Sequence, residues 1–177
     1  TQTGLLNNSN VIQMGVMTGA SNSTNWIRKT PDEILFDINV ALVNPWSSSQ
    51  YDLSGMPNVL LIPPAQFGYI ASQPVTGAGS ISVLEWALKK NIAETQGRSI
   101  QIFPCRWCSG AGVSGSDRMV AYVRDPDRVY LDITVPVQRV MTQPSVEAGG
   151  AYLSLYLGQI GVVKFLSFPP VGYFDGI

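Results

Sequence analysis

The chain has 177 residues with 11 Lys and Arg against 12 Asp and Glu, a net charge of −1. Charged residues are 13% of it, 23 in all, where an average soluble domain of this length carries about 44; 45 Ser, Gln, Asn and Thr and 29 Gly and Pro stand in their place. Histidine is absent, so neither a Ser-His-Asp nor a Cys-His catalytic unit can form within the chain, and the commonest metal ligand is missing. The thin spread of basic residues leaves no electrostatic footprint for reading nucleic-acid sequence. At 45% hydrophobic the chain is too apolar for a disordered tail. It is also too lightly charged for a freely diffusing monomer, because interfaces deplete Lys, Glu and Asp. Thr1 in place of an initiator Met suggests a processed or trimmed piece of a longer protein.

Residues 1–29 are rich in Asn, Ser, Thr and Gly and carry no charge before Arg28. They read as an extended arm or long loop, with Leu5, Leu6, Val11 and Ile12 as docking points. A helix start follows. Thr30 and Glu33 form a capping box, Pro31 suits the first helical position, and Ile34, Leu35, Ile38, Ala41 and Leu42 share one face. Pro45 is expected to end this helix near Asn44.

Asn58 to Ile62 is a short apolar run bounded by prolines, the pattern of a buried strand. Pro63-Pro64 opens a helix to about Ala71, with Phe67 and Ile70 inward. After a Gly-rich loop, Ser82 and Glu85 form a second capping box for a helix reaching Lys89 or Lys90. Strands are expected at Ser99–Phe103 and Arg118–Val123. Val129, Leu131, Ile133, Val135 and Val137 then alternate with polar residues, and Pro136 among them suits an edge or a bulge. Two further strands, Tyr152–Leu157 and Ile160–Leu166, meet around Gly158-Gln159. The fold class is α+β, helical early and strand-rich late, with no internal repeat.

Residues Gly110 to Gly115 spell G-x-G-x-x-G, but a strand follows where a dinucleotide site needs a helix, so they read as a hairpin loop. Cys105 and Cys108 form a C-x-x-C between a strand and a glycine loop. A redox pair needs a helix N-terminus and zinc needs two more ligands. A structural pair, able to close a reversible disulfide, is the better reading, with zinc bridged between subunits as the residual one. Asp32, Glu33 and Asp37 complement a helix first turn, Asp125 and Asp127 flank a turn proline, and Asp132 lies on a strand's polar face; nothing pairs any two of them for acid/base work.

Gly4-Leu5-Leu6-Asn7, the capped helix from Pro31, and the run Pro57 to Phe67 resemble one group of tailed-bacteriophage major capsid proteins. So do Met119 to Tyr122, Val129 to Val137 and the closing stretch from Pro169 to Ile177. The resemblance implies the Hong Kong 97-type shell fold and a structural subunit with no catalytic, cofactor or metal residues. On it, the extended arm or loop of residues 1–29 leads into residues 30–56, the end of a spine helix with its connection, and is not the family's own N-terminal arm. Residues 57–127 are an axial domain, and 128–177 supply return strands and a peripheral sheet. Full members are longer: the N-terminal arm, extended loop and most of the spine helix have no counterpart here. The implied partners are copies of the same chain in pentamers and hexamers, scaffold or cement proteins, and packaged DNA touched without base recognition. The rival within the fold is a cellular nanocompartment shell. Outside it stand a carbohydrate-binding module, which needs Trp46, Trp86 and Trp107 exposed in a row, and a hydrolase using paired carboxylates or Cys105 and Cys108.

Overall fold

The computed structural model describes residues 3–75, 81–144, 146–147 and 149–177. The expected Gly-rich loop before Ser82 falls largely on residues 76–80, outside the described residues. The first helix, α1 (Pro31–Ser48), starts as its sequence dictates: Thr30 Oγ1 accepts the Glu33 N–H, and Glu33 Oε2 accepts the Thr30 N–H at 2.9 Å. It does not stop at Asn44. Pro45 sits inside the helix, which runs another turn. The proline is buried and its ring lies where any side chain at Gly172 would have to go, so packing offsets the lost backbone bond. The hydroxyls of Ser47 and Ser48 donate to the Asn44 carbonyl and that of Ser49 donates to Pro45, satisfying the frayed end.

Helices α2 (Pro64–Ser72) and α3 (Val83–Lys89) stand where the prolines and Ser82 place them. In α2, Ile70 is fully buried and Phe67 packs half-buried on the same core. At α3 only half of the expected capping box forms. Ser82 Oγ accepts the Glu85 N–H at 3.2 Å, while the Glu85 carboxylate turns forward to Lys89 Nζ at 2.6 Å, the i,i+4 neighbour. A one-turn helix, α4 (Ile92–Thr95), capped by Asn91, was not anticipated.

Seven strands are present among the described residues: β1 (Ile12–Gly15), β2 (Val59–Ile62), β3 (Gln101–Pro104), β4 (Arg118–Tyr122), β5 (Val129–Pro144), β6 (Tyr152–Phe165) and β7 (Gly172–Asp175). Five form one sheet in the order β1-β7-β4-β2-β3, with β1 parallel to β7, β2 parallel to β3, and the two central pairings antiparallel. The parallel β2–β3 step needs a long crossover, and α2, α3 and α4 supply it. Part of the residue 1–29 segment therefore pairs as an edge strand, and the closing segment becomes a central one.

Side chains divide by the period-two rule. Leu60, Ile62, Met119, Ala121 and Phe174 point to the helices, joining Ile34, Ile38 and Leu42 of α1 in the main core. Val120 and Tyr173 point the other way, onto Val11 and Val171, with Leu6, Leu61 and Phe168 packed around them. Full burial of one such Leu or Ile side chain contributes roughly 1.5–3 kcal/mol. The base of the β5–β6 pair, through Val129 and Phe165, also rests on this second cluster.

Beyond that base, β5 and β6 form a separate two-stranded antiparallel ribbon. Where two strands were expected at residues 152–166 there is one, because Gly158 passes so close to Val137 that a Cβ there would lie 2.7 Å from its Cγ2. Glycine lets the strand continue rather than break. The ladder shifts register at four places, and Pro136 lies in the shift between Val135 and Gln138, the bulge that its missing N–H suits. The alternation along β5 does not generate a buried face: Leu131 is 50% exposed and Ile133 53%.

Candidate functional site

Most of the carboxylates that the sequence singles out make structural contacts. Asp32 and Glu33 occupy the first turn of α1, as expected. Asp37 does not: it is buried, with Oδ2 accepting from Lys29 Nζ at 2.6 Å and from Trp26 Nε1 at 2.9 Å. Lys29 Nζ donates also to the Met17 carbonyl, which ties the segment before α1 to its flank. Burial pushes the Asp37 carboxyl above its usual range, and Lys29 and Trp26 oppose that shift. Asp125 accepts the Asp127 N–H in a turn, and Asp132 pairs with Lys164 at 2.7 Å on the ribbon. Asp32, Glu33 and Asp37 line one hollow with Lys29, and the Glu33 charge reaches Asp37, but each of Glu33 and Asp37 is committed to N–H donors of its own; among the described residues no three His, Cys, Asp or Glu side chains converge as a metal site.

The glycine loop is built for a different purpose from phosphate binding. Gly110 N–H donates to Asp117 Oδ1 at 3.0 Å and Val113 N–H to Asp175 Oδ2 at 3.1 Å, so two carboxylates occupy the donors an anion would need. A 3₁₀ turn, not an α-helix, follows Gly112. The tryptophans do not form a row either. Trp46 and Trp86 pack half-buried against the main core on α1 and α3, Trp26 is fully buried, and only Trp107 stands out, at 68% exposure with the Arg106 guanidinium over its ring.

Sequence reasoning missed the polar group that joins the inner strands β4 and β7 to the start of the chain. Arg118 on β4 meets Asp175 on β7 through two parallel bonds, Nε to Oδ1 at 2.6 Å and Nη2 to Oδ2 at 2.8 Å, both residues buried. Its remaining nitrogen, Nη1, donates to the Leu6 carbonyl at 2.6 Å. Tyr173, under the Arg118 guanidinium at 4.5 Å, donates its hydroxyl to the Leu5 carbonyl at 2.6 Å and accepts the Asn8 N–H at 3.2 Å. Asp175 raises the Arg118 guanidinium further, and burial raises the Tyr173 phenol. The cluster is a clamp on residues 5–8. Its sequence signal was available: Arg118 opens an apolar strand and Asp175 closes another, and a charge in a buried strand requires a partner.

Many of the exposed large apolar side chains among the described residues lie on the ribbon. Its 30 strand residues include three charges, Asp132, Arg139 and Lys164. Leu131, Ile133, Val137, Tyr152, Leu155 and Ile160 are each at least half exposed. A two-stranded ribbon is at best marginally stable in water without something against its faces, and a contiguous apolar surface of this kind marks an interaction site. Both of its edges also present unpaired backbone groups. No helix among the described residues is long and apolar enough to cross a membrane.

A family model described as Major capsid protein matches residues 1–177. Among curated proteins, none matches the chain. Among solved structures, the fold is similar to "The capsid of Myoviridae Phage XM1", with a TM-score of 0.76 at 18% identity, over 100% of this chain and 54% of that one. It is also similar to "Crystal structure of virus-like particle from Pyrococcus furiosus", with a TM-score of 0.61 at 15% identity, over 97% of this chain and 58% of that one. The chain thus spans little more than half the length of either solved chain.

Proposed function

The chain belongs to the major capsid protein family, and from that premise we propose that it is a structural shell subunit that works by self-association and catalyses no reaction. The observation that carries the reading is the bare β5–β6 ribbon. A sheet with apolar residues exposed on both sides and three charges in 30 positions needs covering, and a shell supplies covering on several sides at once. In this reading residues 30–56 are the end of the spine helix with its connection, residues 57–127 form the axial domain around capsomer centres, and residues 128–177 supply return strands and the peripheral sheet. The partners are further copies in pentamers and hexamers, together with scaffold or cement proteins. Packaged DNA touches the inner surface without base recognition, which a net charge of −1 permits. The location is the virion, after assembly in the host cytoplasm.

Light scattering and electron microscopy of the purified full-length protein test this directly. Capsomers or closed shells are the expected result, and a strictly monomeric protein at high concentration would overturn it. The virus-like particle from Pyrococcus furiosus supports a second reading on the same fold, a cellular compartment shell. Particles that contain DNA favour the first reading, and particles that retain a protein cargo favour the second.

A further inference from the structure

Cys105 and Cys108 flank a 3₁₀ turn over Arg106–Cys108 that is closed by the Cys108 N–H donating to the Cys105 carbonyl at 3.1 Å. A turn of this type brings its first and fourth Cα atoms within about 7 Å, and disulfides span Cα separations of about 4.4–6.8 Å. The two thiols are free. Cys105 is anchored at the end of β3, where its N–H donates to the Ile62 carbonyl at 2.7 Å. It lines an apolar hollow of about 530 Å³ with Leu5, Leu6, Leu61 and Trp107. Cys108 is fully buried. Accessibility therefore differs across the pair: Cys105 is partly exposed on the wall of the hollow and Cys108 is not exposed at all.

We propose that Cys105 and Cys108 form an intramolecular disulfide on exposure to a small-molecule disulfide, and that the bond then acts as a staple rather than as a catalytic dithiol. In the first step the Cys105 thiolate attacks one sulfur of glutathione disulfide, forming a mixed disulfide and releasing one glutathione thiolate. In the second, the Cys108 sulfur attacks the Cys105 sulfur and expels the second glutathione, whose leaving sulfur takes up the Cys108 proton. The protein loses two protons and two electrons, and the oxidant takes up both to become two glutathione thiols. The staple role follows from the surroundings. Catalytic pairs keep one thiolate stabilised by a helix N-terminus, whereas burial and the adjacent Cys105 both disfavour a thiolate on Cys108. Opening the bond requires Cys108 to leave as a thiolate in that dry position, which resists reduction. The closed bond would fix the turn that presents Trp107. This inference does not depend on the shell reading.

Intact mass and alkylation after unfolding test it. Folded protein treated with glutathione disulfide is expected to lose two hydrogens, to offer no thiol to iodoacetamide once unfolded, and to keep the bond in a tenfold excess of reduced over oxidised glutathione. A persistent glutathione adduct on Cys105, a link between two chains, or two thiols still free would overturn the disulfide. Release in that glutathione mixture would overturn the staple. Cys108→Ser should stop at the mixed disulfide, and Cys105→Ser should leave Cys108 unreactive while folded. Reaction of Cys108 in the folded Cys105→Ser protein at the wild-type rate would refute the two-step order.

Discussion

Arg118 and Asp175 lie in neighbouring antiparallel strands, directly opposite in register, and close on each other through two bonds of 2.6 and 2.8 Å with almost no solvent access. The third guanidinium nitrogen reaches out of the sheet to the Leu6 carbonyl. One residue thus satisfies a buried carboxylate and fixes a segment more than a hundred positions away. Lysine has no planar fork with which to do both.

Arg118→Ala is expected to cost about 3–5 kcal/mol, because Asp175 would stay buried without its cation. Arg118→Lys should fall between alanine and wild type, retaining charge but losing the bond to Leu6. Urea unfolding gives the stability. Faster amide exchange or proteolysis within residues 5–12 reports release of the clamped segment, and unchanged protection there would show that the clamp does not hold it.

Replacing Leu155 and Ile133 by Glu places two charges on exposed apolar positions of the ribbon. Circular dichroism and monomer stability should change little, within about 0.5 kcal/mol, as for exposed positions generally. Assembly measured by light scattering should fall strongly. Undiminished shell formation would exclude these positions from the contact surface.

The Glu33 carboxylate accepts N–H groups from Ala20 at 2.7 Å and Thr30 at 2.9 Å, and these bonds hold its pKa below the usual 4.5. A depressed folded value means that this contribution is complete above the unfolded pKa and is lost as pH falls through the folded one. The segment around Ala20 and the start of α1 should loosen in that acid window, seen as rising amide exchange at Ala20 and Thr30. Glu33→Gln should flatten the dependence.

Lys29→Met leaves Asp37 buried with Trp26 as its remaining side-chain donor. A loss of about 3–5 kcal/mol at neutral pH is expected. Burial already raises the folded Asp37 pKa, and the variant should raise it further. A raised carboxyl pKa makes stability fall as pH rises between the unfolded and folded values, so part of the loss should return on acidification. Denaturant midpoints at several pH values decide it.

Local signals were legible wherever one residue's chemistry suffices. Thr30 and Glu33 marked the start of α1, Pro64 the start of α2, Ser82 that of α3, and the apolar runs marked β2 and β4. The failures have a common cause. Pro45 argued for a helix end, and Gly158 for a break between strands, because each is a breaker in isolation. What lies against them, Gly172 and Val137, is distant in sequence and reverses the outcome. Asp37 looked like a solvated first-turn acid because its partners, Lys29 and Trp26, precede the helix. The strand character of residues 12–15 was hidden because β1 pairs with β7, about 160 positions later.

The sequence by itself determined that this chain is α+β and free of histidine chemistry, and that it is too sparsely charged to live alone in water. Those properties are sums over residues or periods within one segment, and they need no partner. Only the tertiary structure decided which apolar side chains stay uncovered. It showed Arg118, Tyr173 and Asp175 spent on holding residues 5–8, and it left β5 and β6 paired with each other and otherwise bare, because burial is set by which distant segments meet.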